Sequence, residues 1–197
     1  MRLPGDRATG TLRAKFIFLS LPLLIMWVVE CLNFVAGGAL DQFGIVPRSP
    51  DGLTGIIFAP FLHASFTHLI ANTLPYLTLG WIIVLRRTSD FVWASLIAAL
   101  AAGIGTWLVA PADTVHVGAS GVIFGYLGFL LSRGYFERSL PSILLSIAIG
   151  VIYGSLIWGV LPGQSGISWQ GHLFGFIGGI AAARILTRNR LGASGQR

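Results

Sequence analysis

Apolar residues in this chain form long runs, and polar residues gather in short breaks between them. Six runs approach the ~20 residues an α-helix needs to cross ~30 Å of hydrocarbon. They cover roughly Phe16–Phe34, Ile57–Leu85, Phe91–Val109, Val117–Leu131, Leu140–Val160 and Ser168–Leu186. The fourth is the shortest, and gains length only if its polar start is included. The pattern predicts an all-α membrane protein, a bundle of six transmembrane helices that leaves no room for a separate soluble domain. The expected organisation is a tail over 1–15, a helical domain over 16–187 and a second tail over 188–197.

Composition agrees. Of 197 residues, 54% are hydrophobic and 10% charged, whereas a soluble domain carries about 25% charged residues. The net charge of +6 suggests nucleic acid until its distribution is read. Arg2, Arg7, Arg13 and Lys15 precede the first run. Arg86 and Arg87 follow the second, Arg133 and Arg138 the fourth, and Arg184, Arg188, Arg190 and Arg197 the sixth. Twelve of thirteen basic residues thus fall on one side of a six-span arrangement, with Arg48 the exception. The positive-inside rule makes that side cytoplasmic, with both termini inside. Nucleic acid is not expected as a partner. A basic start, an apolar run and "FVAGGAL" also fit a cleavable signal peptide, but Glu30 and the length of the run favour a retained helix. The single Cys31 excludes an internal disulfide and reads as buried, inert packing.

The connections differ in character. The first, about 35–55, contains "DQFGIVPRSPDGL" and should be ordered by turns. The second and fourth, "RRTSD" and "RGYFERS", are short and basic. The third, "APADTVHVGAS", leads directly into Ser120. The fifth, "GVLPGQSGIS", is uncharged, and Gly163 and Gly166 make 161–168 the natural lid. The runs differ in length and polarity, unlike the inverted repeats of many transporters.

Polar groups inside a span are costly and generally face a cavity or one another. The second run carries His63, His68 and Asn72 in "FLHASFTHLIAN". His68 and Asn72, four apart, share a helix face, whereas His63 falls about 140° away from His68. The fourth run opens with Gly118, Ala119, Ser120 and Gly121, and the sixth carries His172 in "SWQGHLFGFIGG". In the six-span arrangement these three runs are parallel, so Ser120, His172 and His68 can meet at similar depth. A serine needs a base to become a nucleophile, and neutral histidine suits that task. The Ser120 N–H, Asn72 and His68 are candidate donors to an oxyanion. Gly118 and Gly121 let a substrate backbone approach closely. No Asp or Glu lies within the last three runs, and Asp113 reads as solvated, so a dyad fits better than a triad.

Each residue also has a plainer reading. Ser120 alone fits a small-residue packing interface, as do Gly121, Gly125 and Gly128, and Gly171, Gly175 and Gly179. If those two stripes face each other, Ser120 lies near His172. His172 alone fits an interface histidine or a proton relay in a transporter. His63 reads as structural, bonded to the first connection, and His116 as a solvated loop residue. No H-x-x-x-H or H-E-x-x-H pair occurs, so neither a metal nor another cofactor is expected.

At these residues the sequence closely resembles the rhomboid family of intramembrane serine proteases, from about Phe43 to Ala183. "FLHASFTHLIAN" is similar to the family's second-helix motif, with His63, His68 and Asn72 at its H-x4-H-x3-N spacing. "GASGVIFGYLG" resembles its G-x-S-G motif, and "GHLFGFIGG" the motif around its catalytic histidine. Three motifs in order on the appropriate helices make the resemblance specific. It implies that Ser120 is the nucleophile, that His172 is the general base, and that His68, Asn72 and the Ser120 N–H line the oxyanion hole. It also implies transmembrane-protein substrates cut within or beside a helix. The lack of room for a soluble domain fits a minimal form in the plasma membrane of a bacterium or archaeon. Phe124 stands where some members carry a tyrosine under the histidine, keeping the ring without the hydroxyl. The Trp-Arg pair of some bacterial members is missing from the first connection. A non-catalytic rhomboid-like protein that binds membrane clients is the alternative, and the presence of both Ser120 and His172 argues against it.

Overall fold

A computed structural model describes residues 12–164 and 166–194. Arg2, Arg7, Arg197, most of the expected first tail and the end of the second lie outside the described residues. The elements are α1 (Leu12–Val35), α2 (Gly55–Phe58), α3 (Phe66–Arg86), α4 (Thr88–Val109), α5 (Ser120–Glu137), α6 (Leu140–Tyr153) and α7 (Trp169–Ser194). A 3-10 segment, Gly154–Val160, continues α6. Among the described residues, α1, α3, α4 and α6 with its continuation are long and apolar enough to cross a membrane.

The second run is not one helix. Its first part forms α2 and a 3-10 turn at Ala59–Phe61, and Leu62 is extended. Ser65 then starts α3 as an extended N-cap whose side chain accepts the His68 N–H at 3.2 Å. A serine oxygen in that position satisfies a donor that the helix end leaves free. His63 therefore lies outside the helix, and its expected place on the far helix face does not hold. The fourth run is shifted as well. Residues before Ser120 are non-helical, while the helix continues to Glu137 because Arg133 and Glu137, one turn apart, pair at 2.7 Å. Arg133, expected in the fourth connection, lies on this helix and is 2% exposed. The sixth run extends beyond Leu186 to Ser194.

At the centre stands α5, where every residue from 121 to 130 is buried. Lipid offers helices no hydrophobic drive to associate, so close approach through small residues carries the packing. The two glycine stripes do face each other. A Cβ on Gly175 would collide with the Gly121 carbonyl, and one on Gly179 with that of Gly125. On the other side of α7, a Cβ on Gly178 would lie 2.7 Å from that of Ala101 in α4. The outer helices turn apolar side chains outward, including Phe16, Leu24, Leu74, Trp93 and Val151. Cys31 is exposed as well, correcting the expectation of a buried thiol.

Turns order the first connection, as expected, and it is tied to the site's scaffold. Ile45 and His116 form a two-way backbone bridge, with N–H to oxygen distances of 2.9 and 3.0 Å. Arg48 donates to the Ala110 carbonyl at 2.8 Å, and the Trp107 indole N–H to the Ser49 carbonyl at 2.9 Å. At the opposite end, Asp90 accepts from Arg133 at 3.2 Å and Arg190 at 3.0 Å, joining α4, α5 and α7. Arg86 adds α3 through Glu137 at 2.9 Å, and also donates to Ser142 of α6 at 2.9 Å.

Candidate active site

The start of α5 and the first turn of α7 face one cavity of about 810 Å³. Ser120, His172, His68, Asn72 and Phe124 all line it. Four of these five were candidates for the chemistry on sequence grounds, and they come from three helices.

Ser120 is the first residue of α5, so its N–H belongs to the helix end, where no intrahelical acceptor exists. The chain reaches it through Gly118, whose φ of +121° is a conformation L side chains rarely adopt. Gly118 is held by its N–H on the Ala59 carbonyl at 2.8 Å. A Cβ there would lie 2.7 Å from His68 Cε1 and 3.7 Å from Asn72 Nδ2. His68 and Asn72 therefore crowd the backbone just before the serine, on the shared face their spacing predicts. Asn72 Nδ2 is buried and without a hydrogen-bond partner among the described residues. Such a donor costs about 1–3 kcal/mol when left unmade, which favours an acceptor arriving from the cavity.

His172 is fixed from two sides. Its ring stacks on Phe124, with centroids 4.0 Å apart and planes 10° from parallel. Its Nδ1 lies 2.9 Å from the carbonyl oxygen of Gly159. A carbonyl only accepts, so Nδ1 carries the proton, and in the neutral ring Nε2 keeps its lone pair. Gly159 escaped the sequence reading because a backbone carbonyl has no signature in the residue type.

His63 is fully buried and does not line the cavity. Its side chain reaches Ala119 rather than the first connection, accepting that N–H at 3.4 Å. It thus braces the residue before Ser120. His116 is half-buried and lines the cavity, correcting the solvated reading. Burial pushes its imidazole below the ordinary value, and its Nε2 lies 2.8 Å from Thr114 Oγ1. Asp113 is exposed, as expected. Gly121 lies in the glycine contact between α5 and α7, with a Cβ there 3.3 Å from the Gly171 carbonyl oxygen. Gly163 and Gly166 adopt φ of +99° and +74°, and Gln164, Gly166, Ile167 and Ser168 form part of the cavity wall.

Comparison with known proteins bears on the same residues. The family model described as Rhomboid domain matches residues 50–189, which include every one of these side chains. The chain belongs to the rhomboid family. An uncharacterized protein of Mycobacterium tuberculosis is 44% identical over 171 residues, covering 83% of this chain and 71% of the relative. Rhomboid protease GluP of Bacillus subtilis is 29% identical over 197 residues, covering 92% of this chain and 36% of that protein. Rhomboid-type serine protease 2 of Emericella nidulans is 30% identical over 165 residues, covering 78% of this chain and 30% of that protein. Membership of the rhomboid family, together with four helices apolar enough to span among the described residues, makes this an integral membrane protein.

Proposed function

We propose that this rhomboid-family protein is an intramembrane serine endopeptidase. In this reading Ser120 is nucleophile and His172 general base, cutting membrane proteins in or beside a transmembrane helix. The observation that carries it is the bond from His172 Nδ1 to the Gly159 carbonyl at 2.9 Å, which leaves Nε2 free as a base in the cavity that Ser120 lines. A substrate segment unwinds and presents a peptide carbonyl to Ser120. As Oγ attacks the carbonyl carbon, its proton passes to Nε2, and the Gly159 carbonyl stabilises the imidazolium. The Ser120 N–H, the unpartnered Asn72 amide and His68 receive the oxyanion. Collapse breaks the C–N bond, and Nε2–H gives its proton to the leaving amine. A water from the cavity, deprotonated by His172, then hydrolyses the acyl-enzyme.

The charge distribution supports six spans with both termini in the cytoplasm. The proposed helical domain is about 16–187, with α1 and α7 running on into the two tails. Lipids and transmembrane substrates are the partners in this scheme.

The test is cleavage of a single-span reporter in liposomes by wild type, Ser120→Ala and His172→Ala, alongside labelling by a serine-directed phosphonate. Cleavage and labelling by wild type alone are expected. Reporter binding without cleavage or labelling would replace the protease with a client-binding protein.

A further inference from the structure

We infer that the 3-10 segment Gly154–Val160 is a movable wall of the cavity that sets the tautomer of His172, making the base competent only while the segment lies against it. The inference rests on the serine-protease reading and adds a device that controls it.

The segment is built unlike the rest of the bundle. After Tyr153 the α-helix gives way to seven residues of 3-10 helix. Runs beyond three or four residues are uncommon, and such stretches often mark a hinge or strain. None of its residues is buried. Together with α6 it has 6% of its most apolar window buried, against 22–39% for the other three helices able to span. Of the four helices able to span among the described residues, the one whose continuation holds the base's acceptor thus packs least against the rest of the protein.

Gly159 sits where only glycine permits the contact. A Cβ would lie 2.7 Å from Phe124 Cζ and 3.1 Å from His172 Nδ1. While its carbonyl accepts from Nδ1, Nε2 is an acceptor and can take the Ser120 proton. With the segment displaced, nothing holds the proton on Nδ1. A neutral ring carrying its proton on Nε2 instead is a donor there, unable to activate the serine. The loop beyond is coupled to the same segment, because Gln164 Nε2 donates to the Trp158 carbonyl, one residue before Gly159, at 3.0 Å. A helix pushing between this wall and the cavity would switch the base off. Cleavage resumes once the wall closes on a chain that fits, so passing helices are spared.

The test reads the ring directly. Protein carrying Ser120→Ala, labelled with 15N-histidine, is placed in liposomes, and His172 is assigned by its loss in His172→Gln. The proton is expected on Nδ1. Adding Gly159→Ala or Gln164→Ala should move it partly to Nε2. With Ser120 intact, Gly159→Ala should lower kcat at least about tenfold with KM changed less than about twofold, the mark of an interaction used in the transition state. A proton on Nε2 without these changes, or one that stays on Nδ1 with kcat unchanged in both, would overturn the inference. If Gly159→Ala does not fold, the unaltered spectrum and Gln164→Ala decide it. The two readings fail separately. A wild type that cleaves through Ser120 and His172 but whose tautomer ignores the segment keeps the protease and loses the switch. A wild type that neither cleaves nor labels loses the protease.

Discussion

The ring of His172 lies flat on that of Phe124, 4.0 Å between centroids and 10° from parallel. The stack leaves the imidazole one tilt, and the Gly159 carbonyl then leaves it one rotation. Stacked aromatic pairs contribute about 0.5–1.5 kcal/mol beyond their buried area. Phe124→Leu should therefore lower kcat by roughly 2–12-fold, whereas Phe124→Tyr should retain activity. Steady-state cleavage of a reporter in liposomes distinguishes the two.

Asn72 offers a buried donor with nothing to bind among the described residues. Asn72→Ala should cut kcat by about 10²–10³, the usual cost of losing one oxyanion donor, with KM nearly unchanged. Its thermal unfolding temperature should stay level or rise, because an unsatisfied buried amide is removed. A fall in both activity and stability would mean that the amide has a structural role instead.

Gly118 combines a φ of +121° with a missing Cβ that would stand 2.7 Å from His68 Cε1. Gly118→Ala forces strain of about 1–3 kcal/mol and pushes His68 off the backbone before Ser120. Phosphonate labelling should slow at least about tenfold, corresponding to ~1.4 kcal/mol, in protein that still folds.

Gly179 meets the Gly125 carbonyl where a Cβ has no room. Backbone cannot swing aside as a side chain does, so Gly179→Ala should destabilise by about 3 kcal/mol or more. Thermal unfolding in detergent measures this. Gly163→Ala, in open space, should cost only the strain of its positive φ, about 1–2 kcal/mol.

Arg133 is 2% exposed and paired with Asp90 and Glu137, while Arg86, also on Glu137, is 37% exposed. Arg133→Met removes the buried partner that Asp90 and Glu137 share, leaving them only the more exposed Arg190 and Arg86, and should cost up to about 3–5 kcal/mol. Arg86→Met should cost under about 1 kcal/mol, since water screens an exposed pair. Unfolding midpoints should rank the variants in that order.

Much of this was legible along the chain. The helix-bearing runs, the facing glycine stripes, and Ser120, His172, His68 and Asn72 in one cavity all follow from pattern, because hydrophobic length and helical spacing are local properties. The misreadings share a cause. His63 was placed on a helix face because it lies inside the long uncharged run Ile57–Leu85, yet Ser65 captures the His68 N–H and begins the helix there. Arg133 looked like a loop residue because its partner Asp90 lies on another helix. His116 looked solvated because Ile45, which pairs with its backbone, is far away in sequence.

The sequence by itself determined which segments are apolar enough to be helices, where glycine lets two of them touch, and which side chains can do acid–base chemistry. Tertiary structure alone decided how the candidate base is aimed. Phe124 comes from α5 and the carbonyl of Gly159 from the segment after α6. A backbone carbonyl is the same group in every residue, so only its place in space makes the one on Gly159 an acceptor for His172.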